Sequence, residues 1–148
     1  MIRFVVDASV AVKWLVPEVH SGAARALLRA ESVLLAPDLI RAEVGNVLWK
    51  RWRRGELDAA EVDAALADFR RFPLEVHSGE LLLESAWAIS RDTGLTVYDG
   101  LYVALAVAQT ALLVTADRRL FEALRGGALA TACRWIEDED EWPDRQRA

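Results

Sequence analysis

The chain has 148 residues, 53% of them hydrophobic, enough for one domain to bury a core without covalent staples. A single cysteine, Cys133, excludes an internal disulfide and a cysteine-based zinc site, and it suits a reducing cytoplasm, where we expect the protein to reside. The net charge of −5, from 23 acids against 18 bases, argues against a broadly basic nucleic-acid binder.

Much of the acid excess lies in the C-terminal run Glu137-Asp-Glu-Asp-Glu141. The bases are nearly all arginine, because Lys13 and Lys50 are the only lysines, and the guanidinium fork suits phosphate. The N-terminal apolar run is broken by Asp7 and Lys13, so it reads neither as a signal peptide nor as a membrane span.

In chain order, residues 2–6 read as a buried strand ending at Asp7. Residues 9–16 form a short helix stopped near Pro17. Ser21 caps a second helix running to about Ala30, and residues 33–36 form a second strand. Pro37 and Asp38 open a long helix with Leu39, Ile40, Val44, Val47 and Leu48 at helical spacing, ended by Gly55. Asp58 caps the next helix, to about Arg71. Residues 74–76 follow Pro73 as a third strand, and residues 78–92 are helical up to Gly94. Residues 95–97 are too short to assign. Residues 98–109 form an alanine-rich helix, 111–115 a buried strand, 117–124 a short helix and 130–136 a last strand. The domain thus spans 1–136, followed by a polar acidic tail, 137–148. Short apolar strands alternating with helices predict an α/β fold: a central parallel sheet of about five short strands flanked by helices.

In open α/β sheets, sites lie outside the carboxyl ends of the strands. Asp7 follows the first strand, and Asp117 follows the strand at 111–115. Asp99 lies in the first turn of a helix. Glu43 lies on the long helix, with Asn46 three residues on along the same face. Each of these four acids follows an apolar or aromatic residue, and apolar surroundings make an unpaired carboxylate costly. A divalent cation would relieve both burial and mutual repulsion. Oxygen-only ligation selects Mg²⁺ or Mn²⁺, the ions of metal-assisted phosphodiester hydrolysis. His20 and His77 have no partner at metal-ligand spacing.

Val-Val-Asp7-Ala-Ser9, Glu43-x-x-Asn46, Leu-Thr-Val-Tyr-Asp99-x-x-Tyr-x-Ala-Leu-Ala and Leu-Val-Thr115-Ala-Asp117 stand in one order along the chain. Together they resemble the PIN-domain family, in particular the VapC-like ribonuclease toxins of type II toxin–antitoxin pairs. The resemblance implies a Mg²⁺- or Mn²⁺-dependent endoribonuclease whose quartet is Asp7, Glu43, Asp99 and Asp117. It suggests Ser9, Asn46 and Thr115 as supporting polar groups. It also implies an RNA substrate, a homodimer and a cognate antitoxin that occludes the site. The antitoxin is expected near the first helices and the Trp49–Trp52 helix end, in a helix-in-groove mode.

Plainer readings stand beside these. Asp7 and Asp117 suit helix caps, a role compatible with metal ligation. Asp99 favours a helix N-terminus through the dipole. Glu43 has a plainer reading as a surface acid, Ser9 as a cap, Asn46 as a local hydrogen-bonding group and Thr115 as a packed strand end with a useful hydroxyl. The run Lys50-Arg51-Trp52-Arg53-Arg54 suits a helix C-terminus by its charge, or an RNA backbone by its arginines and tryptophan. Arg118 and Arg119 could steer phosphate or simply face solvent. Trp14, Trp49 and Trp87 read as core or interface residues.

Rival functions lose specific residues. A receiver-like module needs a lysine at a later strand end, and both lysines fall in helices. The glycine motifs of dinucleotide-binding and P-loop proteins are absent. A haloacid-type phosphatase wants a second Asp where Ser9 stands. The alternative that remains is a catalytically inactive α/β binding or scaffold domain acting through a partner protein.

Overall fold

The computed structural model describes residues 1–29 and 31–138. Among them, the apolar runs form β1 (Ile2–Val6), β2 (Ser32–Pro37), β3 (Leu74–His77), β4 (Leu112–Thr115) and β5 (Cys133–Trp135). These pair in parallel in the order β3-β2-β1-β4-β5. The expected α/β architecture is therefore present. Val5 lies opposite Leu35 on one side and Leu113 on the other, and all three are buried. Continuous burial, rather than alternation, is what helices on both faces of a parallel sheet require.

The helices are α1 (Ala8–Leu15), α2 (Ser21–Arg29), α3 (Leu39–Arg53), α4 (Ala59–Phe69), α5 (Leu83–Thr93), α6 (Val97–Ala108) and α7 (Arg118–Arg125). α1 packs on α2, α3 and α4, while α5 packs on α6, which crosses β1, β2 and β4. Right-handed crossovers put these two groups on opposite faces of the sheet. No helix among the described residues is long and apolar enough to cross a membrane.

Local chemistry sets the boundaries. α1 stops at Leu15, two residues before Pro17. Asp58 and Glu61 form a reciprocal capping box on α4. Gly94 ends α5 in the left-handed region at φ 79°. Gly100 has a different task. A Cβ there would sit 2.7 Å from the Ala86 carbonyl oxygen and 2.9 Å from Ser90 Oγ, so glycine lets α6 lie directly against α5.

The structure departs from the expected boundaries in several places. Residues 130–132 are a 3₁₀ turn, and the strand is only Cys133–Trp135. Ala130 and Ala132 are poor strand formers, and Thr131 between them does not extend the ladder. The segment expected to be helical from Ser78 begins as a 3₁₀ turn, Gly79–Leu82, which Ser78 caps. Thr96, in the unassigned stretch, is the N-cap of α6. Ser21 is the first residue of α2, and its hydroxyl accepts from the Glu18 N–H at 2.9 Å, tying down the preceding turn. The expected α2 end at Ala30 lies outside the described residues, as does the acidic tail from residue 139. Glu137 accepts a hydrogen bond from Trp135 Nε1 at 3.1 Å.

Candidate metal centre

The chain leaves β1 toward β2 on one side and later returns to place β4 on the other, so strand order reverses between β1 and β4. Such a switch point leaves a crevice at the carboxyl ends of the strands. Asp7 follows β1 directly, and Asp117 lies two residues beyond β4.

Asp7 is buried, at 5% exposure. Its Oδ1 accepts from the Val10 N–H at 3.2 Å, capping α1. Ser9 Oγ donates to the same oxygen, and Thr115 Oγ1 donates to Oδ2. The two hydroxyls also accept from the strand-end loop after β4. The Ala116 N–H donates to Ser9 Oγ at 3.0 Å, and the Asp117 N–H donates to Thr115 Oγ1 at 3.0 Å. Ser9 and fully buried Thr115 thereby join the ends of β1 and β4 around one carboxylate. Burial pushes the Asp7 pKa up to about 6, against the hydrogen bonds that lower it, and the Asp117 charge adds to the rise.

The remaining acids come from helices. Asp117 caps α7, its Oδ1 accepting from the N–H groups of Arg119 at 3.0 Å and Leu120 at 3.3 Å. Asp99 stands in the first turn of α6, held there by the Thr96 cap on its own N–H at 3.1 Å. Glu43, on α3, accepts from Tyr102 Oη at 2.7 Å. Burial raises the Glu43 pKa, and the Asp99 and Asp117 charges add to it. Tyr102 is pushed strongly upward by burial and then by Glu43, with smaller contributions from Asp7 and Asp99. The quartet thus forms one electrostatic group, contributed by the end of β1, α3, α6 and the end of β4.

Side-chain exposure rises outward, from 15% for Asp99 to 36% for Asp117. Arg119 reaches both, with Nη2 at 2.7 Å from Asp99 and 3.7 Å from Asp117. Arg118, its neighbour in sequence, turns away, with its guanidinium 4.0 Å from the Trp135 ring centroid. Lys13, buried in α1, is held by Glu18 at 2.9 Å. Glu18 also pairs with Arg51, so that member of the basic run on α3 anchors the turn after α1. Arg53 lies over Trp49.

Asn46 is exposed on α3 and makes no hydrogen bond to the acids among the described residues. Tyr102 was not singled out from sequence as a site residue. Its signal was its position three residues after Asp99, on the same face of α6.

The donor set is oxygen only, crowded with like charge and partly desolvated, which is chemistry that a hard divalent cation satisfies. Among the described residues, no three acidic, histidine or cysteine side chains are gathered to hold an ion as they stand. Arg119 lies against Asp99 and Asp117, and Tyr102 holds Glu43.

Residues 4–126 match the family described as PIN domain. The chain is 40% identical over 122 residues to Ribonuclease VapC3 of Pyrobaculum aerophilum, covering 81% of this chain and 93% of that protein. It is 42% identical over 122 residues to Ribonuclease VapC3 of Mycobacterium tuberculosis, covering 82% and 87%. The crystal structure of PAE2754 from Pyrobaculum aerophilum superposes with a TM-score of 0.70 at 26% identity, covering 93% of this chain and 86% of that one. With its sheet order, its strand-end acids and these likenesses over most of its length, the chain belongs to the PIN-domain family, among the VapC ribonucleases.

Proposed function

We propose that this chain is an endoribonuclease toxin in which Asp7, Glu43, Asp99 and Asp117 hold Mg²⁺ or Mn²⁺ for hydrolysis of RNA phosphodiester bonds. The observation that carries this reading is the electrostatic coupling of four carboxylates at the switch point, Asp7 among them with its pKa raised to about 6. The name ribonuclease, borne by relatives that match about four-fifths of the chain, supports the reaction class.

A bound divalent ion would lower the pKa of the attacking water and stabilise charge on the phosphate oxygens. The chain's own contribution is positional. Thr115 and Ser9 fix both oxygens of Asp7, and the backbone N–H groups of α7 fix one oxygen of Asp117. Tyr102 orients Glu43. Asn46, one turn beyond Glu43, is assigned as a further supporting polar group.

The remainder of the reading follows the resemblance. Residues 1–136 act as the nuclease domain, with 137–148 an acidic tail beyond it. The protein works in the cytoplasm as a homodimer restrained by a cognate antitoxin, and no membrane takes part. Trp49 and Trp52, 50% and 45% exposed, line an apolar groove between α3 and α4 with Gly45, Ala59, Val62 and Leu66, which suits a partner helix.

The test is cleavage of a mixed RNA pool by purified protein. We expect activity with Mg²⁺ or Mn²⁺, loss with EDTA, and a loss of about a thousandfold or more in Asp7→Asn. Cleavage that persists in EDTA, or in Asp7→Asn at the wild-type rate, would overturn the metal assignment.

A further inference from the structure

Resting on the metal-centre reading above, we propose that Arg119 is a built-in competitor for the metal: its guanidinium occupies the outer acids and must leave before a divalent cation binds them.

The geometry is asymmetric in a way that a solvated helix face does not require. Arg118 and Arg119 are adjacent at the start of α7, yet they face different partners. Arg118 lies over Trp135 and 3.8 Å from Glu122. Arg119 reaches back across the site to Asp99, 20 positions away in sequence, at 2.7 Å, while also facing Asp117 at 3.7 Å. Its own N–H is bound to Asp117 Oδ1 at 3.0 Å, which fixes the base of the side chain beside the carboxylate it neutralises.

The cations that could rival it are committed elsewhere. Lys13 is paired with Glu18, and Arg51 with Glu18 and Glu56. Among the described residues, Arg119 thus supplies the ion-paired counter-charge of Asp99 and Asp117, the two more exposed of the three acids borne near helix starts and strand ends, while the Lys13 charge acts on Asp7. The Arg119 side chain is itself 61% exposed, so the contact is solvent-screened and readily exchanged. A guanidinium held this way neutralises the outer acids in the absence of metal. It yields to an ion that binds all of the acids together.

The contact makes a prediction about binding rather than turnover. Isothermal calorimetry with Mn²⁺ on the full-length protein should show two- to fivefold tighter binding (order of magnitude) in Arg119→Ala and Arg119→Gln. Arg118→Ala removes the same charge one residue away and should bind as the wild type does. The difference between wild type and Arg119→Ala should narrow as ionic strength rises.

Equal or weaker binding in both Arg119 variants overturns the proposal. So does equal tightening in Arg118→Ala, which would reduce the effect to net charge. Asp99→Asn separates the two levels of inference. If it weakens Mn²⁺ binding while the Arg119 variants bind like wild type, the metal centre stands and only the competitor role falls. If wild type and all variants fail to bind Mn²⁺, the metal centre itself falls, and the competitor role with it.

Discussion

Asp7 and Asp99 belong to one electrostatic group but are held in opposite ways. Asp7 is buried at the end of a central strand, with both oxygens bonded to hydroxyls whose own positions are fixed by backbone N–H groups. Asp99 stands at the first turn of a helix, and its carboxylate partner is a long, mostly exposed arginine. The inner carboxylate is preorganised by backbone geometry, and Asp99 is held by a side chain that can rearrange. Under the proposed function, a site that accepts an ion and then a bulky polyanion would benefit from both: a fixed group to define position and an adjustable one to admit the cargo.

The sharpest way to probe the inner carboxylate is through its protonation. In the metal-free protein, burial raises Asp7 from 3.8 to about 6, so the folded state binds this proton more tightly than the unfolded chain does. Stability should therefore be greatest below about pH 4 for this group and fall as the pH rises through about 6, by about 3 kcal/mol in all. Urea unfolding in EDTA should show this slope in wild type. Asp7→Asn should lack it and be the more stable of the two near neutral pH. Parallel slopes for the two proteins would mean that burial does not raise the Asp7 pKa.

Thr115→Val tests the hydroxyl framework at nearly constant volume. It leaves Asp7 Oδ2 and the Asp117 N–H without their partner in a fully buried place, for a loss of about 2 kcal/mol in unfolding free energy. An unchanged urea midpoint would break the contrast, because the inner carboxylate would then not depend on this bond.

The smallest effect is expected at Glu43, which is held by the buried Tyr102 hydroxyl. Tyr102→Phe removes the hydroxyl that lowers the Glu43 pKa, at a cost of about 1 kcal/mol in stability. Without that bond, Glu43 rises further, so the acidic limb of the cleavage–pH profile should move to higher pH. A profile that stays in place would show that Glu43 is not titrating in the rate.

Much of this protein was legible before folding. The apolar runs ending in Asp7 and near Asp117 mark strand ends directly, because continuous burial and a terminal acid read from local order alone. The four acids stood out by their apolar neighbours, and their order carried the family resemblance. The caps at Asp58 and Gly94 were equally local. Boundaries that depend on tertiary pairing were less legible. The stretch 130–136 is mostly apolar apart from Thr131 and Arg134, yet only Cys133–Trp135 finds a partner strand, in β4. Thr96 is a favoured N-cap type, but the short stretch 95–97 gave no helix start for it to cap until α6 was placed.

Sequence by itself determined the fold class and the strand-end placement of Asp7 and Asp117, since each follows from residue type and local periodicity. Only the tertiary structure decided which groups meet. It brought Tyr102 to Glu43 across 59 positions and Thr115 to Asp7 across 108. It also parted Arg118 from Arg119, sending one to Trp135 and the other to Asp99. Such pairings depend on strand order and helix crossing, which bring distant segments together through long-range burial.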